Sequence, residues 1–207
     1  KTAYEIYQCD WSSDVCSSDL FYWDDCIMLY IQENTLSDEL IADVLKWNED
    51  TKAGDVWAAN QVKWVESLKY ATAGTIFNRV MPGDLSNRIY DELQSRGKIN
   101  YNPWSRSTLF YIGMPNSCVN WHADYADYNA FSIYLNREWD SNWGGWFAYT
   151  EEYNWQEGDI NPKRGQFVVP KYNLSIMSTE KEWHCTTPIS PYAQPRLSIQ
   201  LFFSKNT

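Results

Sequence analysis

Two segments in the first half of the chain carry apolar residues at helical spacing. In LSDELIADVLKWNED, residues 36–50, the apolar positions recur every three or four residues, which predicts a helix with one buried face. Ser37 lies where an N-cap is expected, and Asp38 and Glu39 suit the positive end of the helix dipole. DLSNRIYDELQSRG, residues 84–97, predicts a second helix that ends at Gly97.

After Pro103 the pattern changes to short β-branched and aromatic runs bounded by Gly, Pro, Asn or Asp. These runs predict six strands: STLFYIG (107–113), NAFSIYLN (129–136), GGWFAYT (144–150), GQFVVP (165–170), NLSIMST (173–179) and RLSIQLFFS (196–204). CIMLYIQ, residues 26–32, predicts a strand before the first helix. Closely spaced strands after two helices predict a mainly β fold with flanking α-helices, either a sandwich or a jelly roll with the helices packed on one sheet.

The last predicted strand alternates sharply between polar and apolar residues. Arg196, Ser198 and Gln200 share one face, and the residues between them are apolar. One interpretation is an edge strand with a solvated polar face. The other is a guanidinium inside a barrel, ready to bind a carboxylate in bidentate geometry. Ser132 and Tyr134 share a face of an earlier strand in the same way.

The chain has only two histidines, and one of them, His122, lies two residues before Asp124. In a strand, residues two apart point the same way, so these side chains can face one point. With a second imidazole, which can only be that of His184, they would form the facial triad that suits non-haem Fe(II). A buried, hydrogen-bonded His122 and an Asp124 that caps a turn are the structural alternatives.

Residues 1–20, KTAYEIYQCDWSSDVCSSDL, match a translated sequencing adapter on both sides of its index, in one reading frame. We therefore expect residues 1–20 to be an artefact outside any domain, and residues 21–207 to form a single domain. A natural leader rich in Ser and Asp is the alternative. If the segment is an artefact, the true N-terminus is missing and a signal peptide cannot be judged.

Composition narrows the classes of partner. The net charge is -10, and residues 1–20 contribute one positive and four negative charges to it, so the remainder is at -7. An acidic chain argues against nucleic acid, and the absence of a long apolar run argues against a membrane span. Outside residues 1–20 there are three cysteines, an odd number without paired spacing, which favours a reducing, cytoplasmic location.

Tryptophan is abundant, with twelve residues in the chain. The simpler interpretation is packing in the core and at its rim by large amphipathic rings. The other is an exposed aromatic surface that binds carbohydrate or peptide.

The order of these motifs resembles the Fe(II)- and 2-oxoglutarate-dependent oxygenases, and most of all their prolyl 4-hydroxylase-like branch. The residues that carry the resemblance are His122-x-Asp124, YLN at 134–136, Trp139, Gly144-Gly145, VPKYN at 169–173, His184 and Arg196-x-Ser198. The similarity extends from about Tyr30 to Phe203. It implies a double-stranded β-helix, a cupin-like jelly roll with one open end.

The resemblance also implies a role for each motif residue. His122, Asp124 and His184 would bind Fe(II), and Arg196 would bind the distal carboxylate of 2-oxoglutarate. The further residues of the co-substrate pocket would be Tyr134, Ser198 and Tyr111. Dioxygen would be the second co-substrate and ascorbate the reductant. Many prolyl 4-hydroxylases have Lys in place of Arg196, and this departure argues against a collagen-type substrate.

The expected reaction is hydroxylation of an unactivated C–H bond, with a prolyl residue of a peptide or protein as the first candidate substrate. A free amino acid or another small metabolite is the second. A non-catalytic jelly-roll binding module with exposed Trp is the alternative from another class, although it would have no use for a triad and Arg196. Three loops are candidates for substrate binding: residues 53–64, 124–129 and 137–143.

Overall fold

The computed structural model describes residues 29–50, 58–59, 74–99, 106–124, 128–150, 163–178 and 183–204. It contains two helices, α1 (Asp38–Asp50) and α2 (Gly83–Ser95). The strands of the described part are β1 (Tyr30–Gln32), β2 (Ala58–Ala59), β3 (Ile76–Val80), β4 (Arg106–Gly113), β5 (Val119–His122), β6 (Tyr128–Tyr134), β7 (Phe147–Thr150), β8 (Gln166–Val168), β9 (Ser175–Ser178), β10 (Trp183–Thr186) and β11 (Arg196–Ser204).

The strands form two antiparallel sheets. The larger sheet has seven strands in the order β1-β9-β6-β11-β4-β3-β2, and the smaller has four in the order β5-β10-β7-β8. The fold is thus the predicted mainly β jelly roll with two helices. The strand β11 lies at the centre of the larger sheet, between β6 and β4. The interpretation of its polar face as a solvated sheet edge is therefore wrong.

Both helices pack on one face of the larger sheet, as the sequence predicts. Their apolar residues join those of β4, β6 and β11 in one core cluster, whose fully buried members include Ile41, Val44, Ile89, Phe110 and Ile199. The alternation of β11 explains this arrangement, since Ile199 and Leu201 face the helices. The opposite, more polar face of the sheet is left to face the smaller sheet.

A carboxylate of α2 accepts hydrogen bonds from the start of α1. Ser37 donates its backbone N–H and its hydroxyl to the two oxygens of Glu92, at 2.6 and 2.8 Å. Arg96 pairs with the same carboxylate at 2.6 Å. The N-terminal donors of α1 are thus satisfied partly by a residue of the other helix, and Ser37 lies at the helix start as predicted.

The strands confirm most of the predicted segments with shorter bounds. The predicted strand 129–136 ends at Tyr134, because the Asn136 side chain bonds the backbone of Pro195 and Leu197 instead of continuing the ladder. The segment predicted to run from Gly144 forms a strand only from Phe147. Four strands of the described part were not among the predicted segments: β2, β3, β5 and β10.

Among the described residues, neither helix has the length and apolar character needed to cross a membrane. Residues 1–28 lie outside the described residues. The division of the chain into an artefact at 1–20 and one domain at 21–207 therefore stays a prediction.

Candidate active site

Neighbouring strands of the smaller sheet place the two histidines side by side. His184 on β10 is directly opposite His122 on β5, and their ring centroids are 4.3 Å apart. Asp124 lies two residues past the end of β5. Its carboxylate oxygens are 3.9 Å from Nε2 of His122 and 3.6 Å from Nε2 of His184.

The prediction that His122 and Asp124 lie in one strand is wrong, since β5 ends at His122. The convergence that it predicted is nevertheless present. One ligand atom from each of His122, Asp124 and His184 lies within 4.8 Å of the others, and all three side chains are largely buried. Groups at this separation can share one ion about 2.0–2.2 Å from each.

The hydrogen bond of His122 determines which of its ring nitrogens carries the hydrogen. Its Nδ1 lies 2.7 Å from the backbone oxygen of Asn120, which can only accept, so Nδ1 carries the hydrogen. Burial, and then the neighbouring His184, lower the pKa of His122 to about 4, although Asp124 opposes the shift. His122 is therefore neutral at neutral pH and offers the Nε2 lone pair, the form in which histidine binds metal ions.

Two further contacts orient the other members of the triad. The ring of Phe147 stacks on His184 with centroids 5.0 Å apart and an angle of 16°. The Ser178 hydroxyl donates to Asp124 Oδ2 at 3.5 Å. Partners of this kind fix the direction in which a ligand atom points.

A cavity between the two sheets extends from the triad to Arg196. Its walls include the triad, Tyr111, Ser132, Tyr134, Phe147, Ser178, Thr186, Arg196, Gln200 and Phe202. The larger sheet therefore contributes its polar face to the cavity, as the alternation in β6 and β11 suggested.

Arg196 is a buried cation held only by neutral groups. Its Nη1 donates to the backbone oxygen of Gly145 at 2.6 Å, and Nη2 donates to Thr186 Oγ1 at 3.5 Å. Its Nε is buried without a hydrogen-bond partner. No carboxylate of the described residues pairs with it, and burial lowers its pKa. An anionic ligand would supply the missing partner.

Glycines at 144 and 145 shape the loop that reaches Arg196. Both have positive φ, at 66° and 64°. A Cβ on Gly144 would meet the backbone oxygen of Pro188, and one on Gly145 would lie 3.5 Å from the Arg196 side chain. This conformation presents the Gly145 carbonyl to the guanidinium.

The other predicted pocket residues form one row across the larger sheet. Ser198 on β11 is opposite Tyr111 on β4 and Tyr134 on β6. The Tyr111 hydroxyl is buried without a hydrogen-bond partner, and burial and Asp124 raise its pKa. Burial also raises the pKa of Tyr134. Both phenols therefore stay protonated and can donate to an anion.

Sequence reasoning did not assign several residues of the cavity wall. Ser132 and Gln200 were noticed only as members of polar strand faces. Ser178, Phe147 and Thr186 gave no signal, because their place depends on the pairing of distant strands.

Of the candidate substrate loops, only residues 137–143 lie wholly in the described part. Gln194 Nε2 donates to the Glu138 backbone oxygen, and the indole N–H of Trp139 donates to Gly144. This loop therefore lies beside the start of β11, at the Arg196 end of the cavity. Residues 125–127 and most of residues 53–64 lie outside the described residues.

Residues 108–204 match the family model described as the 2OG-Fe(II) oxygenase superfamily. This segment, 97 of the 207 residues, resembles the 2OG-Fe(II) oxygenase superfamily. Members of this superfamily use Fe(II) and 2-oxoglutarate. The matched segment contains the triad and Arg196. No curated protein matches the chain.

Solved structures share the fold of this protein. A prolyl-4-hydroxylase of Pseudomonas putida aligns over 86% of this chain and 94% of its own, with a TM-score of 0.61 and 14% identity. A prolyl hydroxylase of Trichoplax adhaerens, solved with a peptide fragment of the hypoxia inducible factor oxygen degradation domain, aligns over 86% and 83%, with a TM-score of 0.62 and 18% identity.

HygX of Streptomyces hygroscopicus is also similar. It was solved with nickel, 2-oxoglutarate and hygromycin B, and it aligns over 87% of this chain and 84% of its own, with a TM-score of 0.60 and 9% identity. At these identities the likeness extends to the fold alone.

Proposed function

We propose that this protein is an Fe(II)- and 2-oxoglutarate-dependent dioxygenase that hydroxylates a prolyl residue of a peptide or protein. One observation carries the proposal. The cavity between the sheets has three convergent metal-binding groups at one end and, at the other, a buried guanidinium that pairs with no carboxylate of the described residues.

The triad fits the metal by its chemistry. Two imidazoles and a carboxylate on one side of an ion are the donor set that suits non-haem Fe(II) and leaves positions open. His122, Asp124 and His184 would hold the metal. Phe147 and Ser178 would keep His184 and Asp124 in place.

The far end of the cavity fits the co-substrate. Arg196 would bind the distal carboxylate of 2-oxoglutarate, with Tyr134 and Ser198 as neutral donors beside it. Tyr111 would donate its unpartnered hydroxyl to an anionic group nearer the triad, because Asp124 is close enough to affect its pKa. The dicarboxylate would thus connect the two ends of the cavity.

When bound, Fe(II) and 2-oxoglutarate supply the oxidising chemistry, in which one oxygen atom of dioxygen enters succinate, the other enters the C–H bond, and carbon dioxide leaves. The protein's own task is to orient these groups and exclude water. Ascorbate is the proposed reductant for metal oxidised outside the cycle. A cytoplasmic location stays a prediction from the cysteines.

The choice of a prolyl substrate rests on the resemblance in sequence and on the two prolyl hydroxylases that share the fold. Mass spectrometry of proline-containing peptides incubated with the protein, Fe(II), 2-oxoglutarate and ascorbate tests it. We expect a gain of one oxygen atom on proline, and none in matched peptides with alanine in that place. The Asp124→Ala variant should give no product.

Small molecules are the second candidate substrates, and the similar fold of HygX, solved with hygromycin B, favours including them. Oxidation of a free amino acid or metabolite, without any peptide product, would replace the prolyl assignment and keep the oxygenase. The binding-module alternative has no support in the described part, where every tryptophan side chain is at least partly buried.

A further inference from the structure

A second cavity lies on the helix-covered side of the larger sheet, away from the space between the two sheets. Its volume is about 580 Å³, within the range of about 300–1,000 Å³ that is usual for sites that bind small molecules. Phe77, Ile112 and Leu197 form its apolar floor, in one row across β3, β4 and β11. Asn48 and Glu49, in the last turn of α1, form part of one wall. We call this space the helix-side cavity.

Asn48 places a polar side chain at a core position of α1. It follows Val44 by four residues and Ile41 by seven, so the three share the face that packs on the sheet. Asn48 is 5% exposed, and its Oδ1 has no hydrogen-bond partner among the described residues. A buried amide oxygen without a partner destabilises the fold, so packing alone does not explain an asparagine at this position.

The Asn48 amide can bind a molecule in the helix-side cavity. The side chain lines the cavity, and rotation about its last torsion, which has broad minima, turns the oxygen toward the open space. An amide oxygen only accepts hydrogen bonds, so it favours a ligand that donates an N–H or O–H.

Charge at the same wall favours a cation. The last turn of α1 has no basic residue, and it ends with Glu49 and Asp50. Asp50 pairs with Lys46 at 3.2 Å, whereas no ion pair within the described part of the chain involves Glu49. Glu49 is exposed and therefore lies at the opening of the cavity. The C-terminal end of a helix is also the negative end of its dipole, so carboxylate and dipole together would stabilise a positive group here.

We propose that the helix-side cavity binds a small organic ammonium ion. The apolar body of the ion lies on Phe77, Ile112 and Leu197, and its N–H groups donate to Asn48 and face Glu49. This site is separate from the proposed oxygenase reaction and does not depend on it, since none of these residues lines the cavity between the sheets.

The probe is 2-phenylethylammonium, and its binding to the full chain is measured by calorimetry. We expect a dissociation constant of roughly 1 mM or below, as for an apolar fragment of this size. The uncharged 2-phenylethanol, which has the same apolar body, should bind roughly two- to fivefold more weakly, the scale of one exposed charge pair. Phenylacetate should bind more weakly still. No binding of the ammonium ion, or equal binding of all three probes, would overturn the proposal.

Replacing Glu49 tests the role of its charge. Glu49→Gln should weaken binding of the ammonium ion roughly two- to fivefold and leave 2-phenylethanol binding unchanged. Glu33→Gln is the matched control, because Glu33 is exposed and follows β1, at the far edge of the larger sheet from β3. Equal effects of the two substitutions would contradict a role for Glu49.

Replacing Asn48 separates binding from stability. Asn48→Leu should weaken binding of both donor probes at least fivefold, and without a ligand it should unfold at a higher urea concentration than the wild type, because the unsatisfied amide is gone. Asn87→Leu, on the exposed side of α2, is the matched control and should bind both probes as the wild type does. Asn48→Ala removes the amide without filling the space, and an unchanged affinity in this variant would overturn the role of Asn48.

A variant of the other cavity checks where the probe binds. Asp124→Asn removes a carboxylate between the sheets and should leave the affinity for 2-phenylethylammonium unchanged. Loss of binding in Asp124→Asn, with none in the variants of Asn48 and Glu49, would place the probe at the triad and overturn the proposal.

Discussion

At the scale of single residues, the cavity is lined by buried charged and polar groups that lack some of their hydrogen-bond partners among the described residues. Arg196 is 8% exposed, and its described partners are a carbonyl, a hydroxyl and a ring face. The Tyr111 hydroxyl is buried with no partner. Groups of this kind reduce stability unless a ligand satisfies them, and sites that bind ligands retain them for that reason.

Replacing Arg196 tests the role of its charge. Arg196→Ala should weaken 2-oxoglutarate binding by roughly 2–5 kcal/mol, the scale for breaking a desolvated charge pair. Arg196→Lys should be intermediate, since it keeps the charge and loses the planar fork. Iron binding should survive in both. Anaerobic titration of the Fe(II) charge-transfer band measures the affinity, and an unchanged affinity in Arg196→Ala would show that another residue binds the carboxylate.

The lowered pKa of His122 predicts a pH dependence of stability for the metal-free protein. The folded-state pKa of about 4 lies below the ordinary value of 6.5, so between them the unfolded chain binds more protons. Above about pH 6.5 the free energy of unfolding should therefore not depend on this group. As pH falls from about 6.5 toward about 4, the free energy of unfolding should decrease by at most about 1.4 kcal/mol per pH unit for this one proton.

Urea unfolding of wild type and His122→Gln across this pH range measures the effect. The difference in unfolding free energy between them should shift in favour of the variant as the solution becomes more acidic. A difference that is independent of pH would show that His122 does not titrate on unfolding.

Sequence alone singled out several residues that the structure brings together around the cavity, and fewer of their neighbours. His122, Asp124 and His184 drew attention because the chain has two histidines and one His-x-Asp. Arg196 drew attention because its strand alternates between polar and apolar residues. Ser178 and Phe147 could not be found, since they contact the triad through strand pairings between segments far apart in sequence.

At the scale of elements, the loop between β6 and β7 couples the backbone to the site. Its 3₁₀ turn over Ser141–Trp143 begins at Asp140, which accepts from the Asn142 N–H, and ends at Gly144. Indole N–H groups of Trp139 and Trp146 donate to carbonyls of the same loop. These two hydrogen bonds stabilise the loop that presents the Gly145 carbonyl to Arg196.

Gly144→Ala should damage this loop. At a φ of 66° and a ψ of -142° an alanine is strained, and its Cβ would meet the Pro188 carbonyl. We expect a loss of about 1–3 kcal/mol in unfolding free energy and weaker 2-oxoglutarate binding, because the partner of Arg196 moves. Gly83→Ala is the matched control, since its Cβ would meet nothing within 4 Å. Equal stability of the two variants would contradict the account.

Helices and alternating strands were predictable because one face of each is buried. The strands that sequence reasoning missed do not show such an alternation of apolar and polar residues in their sequence. The β10 segment WHCT is at least partly buried throughout. Strand β3 buries the polar Asn78 and ends at an exposed Val80. Their pairing with β5, β7 and β4 defines them as strands, and this information is not local in the sequence.

At the scale of the whole molecule, the two faces of the larger sheet have different tasks. One is covered by α1 and α2 and forms the apolar core. The other carries Tyr111, Tyr134, Arg196 and Gln200 and faces the two histidines of the smaller sheet across the cavity. The proposed function requires that metal and 2-oxo acid bind in this cavity together.

The measurement that tests this claim most directly is formation of succinate by the purified protein. With Fe(II), 2-oxoglutarate, dioxygen and a mixture of proline-containing peptides, we expect succinate to form only when both the metal and the 2-oxo acid are present. The Asp124→Ala variant, assayed at equal concentration, should form none. Unconsumed 2-oxoglutarate in the wild type, or equal succinate formation by the variant, would contradict the account.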